Sequence, residues 1–134
     1  MPVSYEWLIP GQVMGLRWTG IVTEAELLDM DREFVKILDS TPLPLIHFIS
    51  HELELEVEPH FTAYLRAQCV KHQKFGWYLI IQKQQNIAAR LIAQMAGTML
   101  RLRLRIVEDE DSAWAVLRRI YPEFEPRPIH KHPQ

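Results

Sequence analysis

The sequence predicts an α/β fold with a sheet of about five strands, mostly parallel, an amino-terminal antiparallel hairpin and about four helices. Gly76–Gln82 is a continuous apolar run behind a glycine, too short for a helix and typical of a strand buried on both faces. Helical patterns lie before it, at Pro59–Gln73, and after it, at Asn86–Leu100. This alternation of helix and strand indicates a parallel sheet.

Composition places the chain among ordinary soluble domains and excludes some partners. At 134 residues it is long enough for one domain, predicted over residues 1–124, with a flexible tail at 125–134 that holds three prolines. A net charge of −2 gives no general attraction to nucleic acid or an anionic membrane. No apolar run is long enough to span a bilayer. One cysteine and no visible secretory signal predict a cytoplasmic protein.

The first part of the chain reads as a hairpin followed by a helix. Ser4–Ile9 and Gln12–Thr19 are strand-like runs joined by a Pro-Gly turn. Thr23–Glu26 matches a capping box, and apolar residues then recur at helical spacing until about Asp39. We therefore expect an amphipathic helix with one face on the sheet.

The middle of the chain holds a second buried strand and an acidic alternation. Leu43–Ser50 is rich in large apolar residues, as a buried strand is. His51–Glu58 alternates glutamate with apolar residues, which suits a half-exposed strand or an extended loop. Pro59 suits the first turn of a helix, predicted to continue to about Gln73.

The last part repeats the alternation. Asn86 can cap a helix, and Arg101–Val107 alternates arginine with apolar residues as a half-exposed final strand does. The final helix begins in the acidic run Glu108–Asp111 and ends before Pro122. The arginines could contact phosphates. A simpler explanation is that charges on an edge strand discourage its pairing with strands of other molecules. We therefore expect no nucleic-acid partner.

The helix over Asn86–Leu100 has few charged residues on either side. Its predicted core side carries the large apolar residues Ile87, Leu91, Ile92, Met95 and Met99. The opposite side is then mostly small, and a weakly polar helix face of this kind is typical of an interface. We predict a homodimer interface at Ala89, Ala93, Ala96 and Leu100. The alternative is that the tail or another helix covers this side within one subunit.

Three motifs carry a resemblance to a known family. They are Trp18-Thr19-Gly20 before the capping box, Gly76-Trp77-Tyr78 at the start of a buried strand, and Ser112–Leu117 in the last helix. With this order of elements, the chain resembles the STAS-like fold of anti-sigma-factor antagonists, and small uncharacterised bacterial proteins that share it. The resemblance implies a non-catalytic regulatory domain with a protein partner.

One departure from that family concerns its phosphorylation switch. The resemblance implies an Asp-Ser pair at the start of the helix after the second buried strand. Here Glu56–Thr62 contains no such pair, and Thr62 is a weak substitute. We therefore expect no phospho-serine switch.

Six histidines and one cysteine raise the question of metal or catalysis. His47, His51, His60 and His72 could converge with Cys69, but no paired Cys-x-x-Cys spacing is present, so no metal site and no cofactor are predicted. Catalysis by Cys69, or by Ser50 beside His51, is conceivable, yet neither lies in a nucleophile motif.

Two classes of function remain from the sequence. One is the non-catalytic regulatory or protein-interaction domain. The other is a small-ligand-binding or enzymatic domain that uses the cleft at the ends of the parallel strands, where open α/β sheets bind ligands. The residues predicted to line that cleft are Ser50, His51, Thr62 and Asn86.

Overall fold

The computed structural model describes residues 3–57, 59–83 and 85–129, and its architecture confirms the predicted fold class. The strands are β1 (Val3–Ile9), β2 (Val13–Ile21), β3 (Ile46–Val57), β4 (Phe75–Ile81) and β5 (Arg103–Val107). The helices are α1 (Glu24–Ser40), α2 (Phe61–Arg66), α3 (Ile87–Leu100) and α4 (Glu110–Ile120), with a short 3-10 helix at Cys69–Lys71. The strands form one sheet in chain order; β1 and β2 pair antiparallel and the other neighbours pair parallel.

Side-chain caps fix where the helices begin. Thr23 Oγ1 accepts a hydrogen bond from the Glu26 N–H at 3.2 Å, and the Thr23 N–H donates to Glu26 Oε1 at 3.1 Å. This reciprocal pair is the predicted capping box. Asp109 Oδ1 accepts from the Ser112 N–H at 2.7 Å and starts α4. The pKa of Asp109 is lowered because hydrogen bonds from the backbone and side chain of Ser112 stabilise its charged form.

The sheet separates two apolar cores. On one face, Trp18, Phe34 and Phe48 belong to a core covered by α1, α2 and the 3-10 helix. On the other, Ile81 and Trp114 belong to a core covered by α4. Because strand side chains alternate between faces, neighbouring residues of β3 and β4 contribute to opposite cores.

The acidic alternation is part of a strand. β3 continues through it to Val57, and Arg17 of β2, itself buried, forms an ion pair with Glu54. The arginine-rich β5 is an edge strand, and β4 lies between it and β3. Residues of the acidic alternation are therefore not next to those arginines in the sheet.

The helix predicted over Pro59–Gln73 is interrupted, so its predicted extent is wrong. α2 ends at Arg66, and the chain starts again as the 3-10 helix. The carboxylate of Asp31, buried on α1, accepts hydrogen bonds from the backbone N–H groups of Gln68 and Cys69 at 2.8–3.0 Å. These N–H groups bond outside their own segment, which ends the α-helical ladder there.

The segment after α4 packs on the second core as far as the structure describes it. Phe124 is 4% exposed and Ile129 is 7% exposed. Trp114 Nε1 donates a hydrogen bond to the Arg127 carbonyl at 3.2 Å. Arg127 and Ile129 of the predicted tail therefore contact the fold, whereas 130–134 lie outside the described residues.

Candidate functional site

A cavity lies between the first face of the sheet and helices α1 and α3. Its volume is about 70 Å³. One water needs roughly 10–15 Å³ on this measure, so the space is large enough for several non-hydrogen atoms. Its walls are mostly apolar and come from the sheet and both helices, including Leu16, Phe34, Phe48, Ile80, Ile92 and Leu104.

Helix α3 borders this cavity with its small residues. Asn86 Oδ1 accepts from the Ala89 N–H at 3.2 Å and caps the helix, as predicted. Gly97 brings the helix close to β5, since a Cβ at this position would lie 3.3 Å from Leu104 Cδ1. Four α3 residues that line the cavity are the predicted interface residues Ala89, Ala93, Ala96 and Leu100.

The predicted orientation of α3 is therefore wrong. Ala89 is 3% exposed and Ala96 is 6% exposed, whereas the predicted core residues Ile87 and Met99 are 69% and 61% exposed. Small side chains let the helix backbone approach the sheet, and they leave the cavity because they do not fill the space. The four exposed large residues form a surface that we call the α3 stripe: Ile87, Leu91, Met95 and Met99.

One end of the cavity carries a directed chain of hydrogen bonds. Trp18 Nε1, which can only donate, donates to Ser50 Oγ at 2.7 Å. The Ser50 hydroxyl in turn donates to Glu52 Oε2 at 2.9 Å. Gln82 Nε2 lies 3.4 Å from Glu52 Oε1, a long hydrogen bond. Trp18, Glu52 and Gln82 all line the cavity.

Asp31 and Cys69 form a second polar part of the wall. Burial raises the pKa of the Cys69 thiol well above its ordinary value, and the neighbouring Asp31 carboxylate adds to the shift. Cys69 is therefore a protonated, weakly nucleophilic thiol at neutral pH. Its backbone N–H donates to Asp31 Oδ1 at 2.8 Å and anchors the 3-10 helix to α1.

The structure does not bring the four predicted cleft residues together. Ser50 and His51 are adjacent in β3, so their side chains point to opposite faces of the sheet. Ser50 is fully buried behind the cavity wall, where it bonds to the lining residues Trp18 and Glu52. Thr62 lies exposed on α2, and Asn86 is occupied in capping α3. None of the four predicted cleft residues is itself a lining residue of the cavity.

The histidines that the structure describes form no metal-binding group. His47 is 2% exposed, and its Nδ1 accepts a hydrogen bond from the Trp77 N–H at 3.0 Å. His72 Nε2 pairs with Asp39 Oδ1 at 2.8 Å. Across residues 3–57, 59–83 and 85–129, no group of three or more His, Cys, Asp or Glu side chains is arranged to hold a metal ion.

Sequence reasoning missed Gln82, Glu52 and Asp31 as cavity residues. Gln82 ends an apolar run, so the sequence suggests only the end of a strand there. Glu52 is one of several alternating glutamates that are expected to face solvent. Asp31 lies at the edge of the apolar face predicted for α1. A weak signal was present in β3, because Ser50 and Glu52 are two residues apart and share a strand face.

The fold of this α/β domain is similar to a solved structure. Comparison with solved structures finds an uncharacterised protein of the DUF3478 family with a SpoIIAA-like fold from Shewanella loihica PV-4, at a TM-score of 0.64 and 16% sequence identity. The alignment covers 86% of this chain and 91% of that one, and it confirms the predicted fold. No family model and no curated protein matches the sequence. Within the described ranges, no helix is long and apolar enough to cross a membrane.

Proposed function

We propose that this STAS-like protein is a non-catalytic binding domain that holds a small, mostly apolar molecule in the cavity between the sheet and α3. The observation that carries the proposal is the cavity itself. A helix with large residues facing inward would fill the space, but α3 directs Ala89, Ala93 and Ala96 toward it. Concave, largely apolar sites with a few polar groups are the usual form of a small-molecule site.

The chemistry of the lining supports binding rather than catalysis. Cys69 has a raised thiol pKa, which disfavours the nucleophilic thiolate. Ser50 is fully buried, and its hydroxyl is held between Trp18 and Glu52. His51, the base imagined beside Ser50, lies on the other face of the sheet.

Filling the cavity tests this proposal. Ala93→Leu and Ala96→Leu each add three carbon atoms toward the cavity, so they should weaken binding of p-xylene at least about tenfold. p-Xylene has no hydrogen-bonding groups, and isothermal titration calorimetry would measure its Kd. Filling a real cavity should also leave stability unchanged or raise it by about 0.5–2 kcal/mol.

Ala88→Leu is the matched control, because Ala88 lies on the same helix and is exposed. It should bind p-xylene as the unchanged protein does. The proposal fails if p-xylene does not bind the unchanged protein, or if the Ala88 and Ala96 variants bind it equally well.

A second candidate function, self-association, rests on the α3 stripe. Its side chains are 69%, 53%, 52% and 61% exposed and recur every four residues, which places them along one line of the helix. An apolar line of this length on a surface is typical of an interface. The proposed partner is a second copy of the chain in a symmetric dimer. The proposed interface is the α3 stripe, in place of the interface predicted from the sequence at Ala89, Ala93, Ala96 and Leu100.

A further inference from the structure

Gln82 carries a buried acceptor at the end of the cavity. The side chain follows β4 directly, is 5% exposed and lines the cavity wall. Its amide nitrogen is directed to Glu52 Oε1 at 3.4 Å. Its amide oxygen, Oε1, has no hydrogen-bond partner among the described residues. Buried acceptors are normally satisfied, so this oxygen marks a position where a bound molecule can donate.

The neighbouring hydrogen bonds fix the direction of the amide. Trp18 Nε1 donates to Ser50 Oγ, and the Ser50 hydroxyl donates its proton to Glu52 Oε2. Glu52 is therefore the acceptor of this chain. Turning the Gln82 amide would place its oxygen against a carboxylate oxygen, with no proton between them. The oxygen of Gln82 is thus left as a buried acceptor without a donor among the described residues, on a side chain that lines the cavity.

The charges of the lining have one sign. The acidic residues Glu52 and Asp31 both line the cavity, and the described lining residues include no lysine, arginine or histidine. An anionic group entering this space would meet like charge and lose its hydration without gaining a cationic partner. A hydroxyl or ammonium group would instead donate to the acceptors already present.

We propose that the ligand of this cavity is an apolar molecule bearing a hydroxyl or amino group, which donates a hydrogen bond to Gln82 Oε1, and that carboxylate-bearing analogues are rejected. This inference rests on the proposed function and adds the ligand class. The apolar part of the molecule contacts Phe48, Ile80 and the small-residue face of α3. The donor group contacts Gln82 and Glu52.

A length-matched series tests the ligand class by calorimetry at neutral pH. 1-Octanol and octylammonium should bind at least about tenfold more tightly than octanoate. Gln82→Leu should lower the affinity for 1-octanol relative to that for p-xylene about fivefold or more. Glu52→Gln, which removes one negative charge, should raise the affinity for octanoate relative to that for p-xylene. Thermal unfolding followed by circular dichroism verifies that each variant is folded.

The outcomes separate this inference from the proposed function. If p-xylene binds and octanoate binds as tightly as 1-octanol, the ligand class is wrong and the cavity function stands. If p-xylene fails to bind the unchanged protein, the cavity function itself is wrong. If Gln82→Leu does not fold, Glu52→Gln still decides, because octanoate binding that is unchanged in this variant contradicts the charge argument.

Discussion

At the scale of single residues, the buried ring of His47 explains why position 76 is a glycine. His47 Nδ1 accepts a hydrogen bond from the Trp77 N–H at 3.0 Å, so this nitrogen carries no proton and the ring is neutral. Gly76 precedes this contact, and a Cβ there would lie 2.4 Å from His47 Nδ1. The glycine near the start of β4 therefore leaves space for the ring of a buried histidine.

His47 should make the protein less stable in mild acid. Burial, with the positive charge of Arg103 as a smaller contribution, lowers its pKa from the usual 6.5 to about 4. Between these values the unfolded chain binds the proton and the folded protein does not. The free energy of unfolding should therefore fall by about 2–3 kcal/mol as the pH drops from about 6.5 to about 4. Urea denaturation across this range measures the slope.

His47→Asn separates this effect from the titration of carboxylates. The asparagine oxygen can accept from the Trp77 N–H but does not titrate, so the variant should lose the part of the slope due to histidine. An identical pH dependence in both proteins would mean that His47 is not the responsible group.

At the scale of elements, the orientation of α3 is the feature that the sequence did not predict correctly. The capping box at Thr23–Glu26, the Asn86 cap and the buried strand β4 were predictable because each depends on local chemistry or periodicity. The orientation of α3 was not, since both of its sides are apolar and periodicity alone does not say which one faces the sheet. Close packing against β5 decides it, and Gly97 beside Leu104 is the contact that requires small residues.

Self-association through the α3 stripe should be lost when a charge is placed on it. Leu91→Glu and Met95→Glu change residues that are 53% and 52% exposed, so the fold should persist while a dimer becomes a monomer. Sedimentation velocity at high micromolar concentration measures the change. Gln94→Glu, at an exposed polar position of the same helix, should remain dimeric.

The unchanged protein sedimenting as a monomer at that concentration would contradict the self-association proposal. A dimer that persists in both glutamate variants would place the interface elsewhere. In contrast, Ala96→Glu would not test the interface, because that residue is buried and the charge would enter the cavity.

At the scale of the whole molecule, the two faces of the sheet are used differently. The face under α4 is closed by aromatic and aliphatic side chains, including Phe124 and Ile129 from the segment after the last helix. The face under α3 retains the cavity. The order of strands and helices could be predicted from the sequence, whereas the cavity could not, because it depends on how closely separate elements approach.

Xenon binding in a crystal of the unchanged protein tests the central claim most directly. Xenon enters apolar cavities without needing a hydrogen bond, so it reports the space independently of any ligand chemistry. We expect a xenon atom between the sheet and α3, in contact with Phe48 and Ala93, and no xenon at this position in Ala96→Leu. A xenon-pressurised crystal with α3 packed against the sheet and no xenon between them would contradict it.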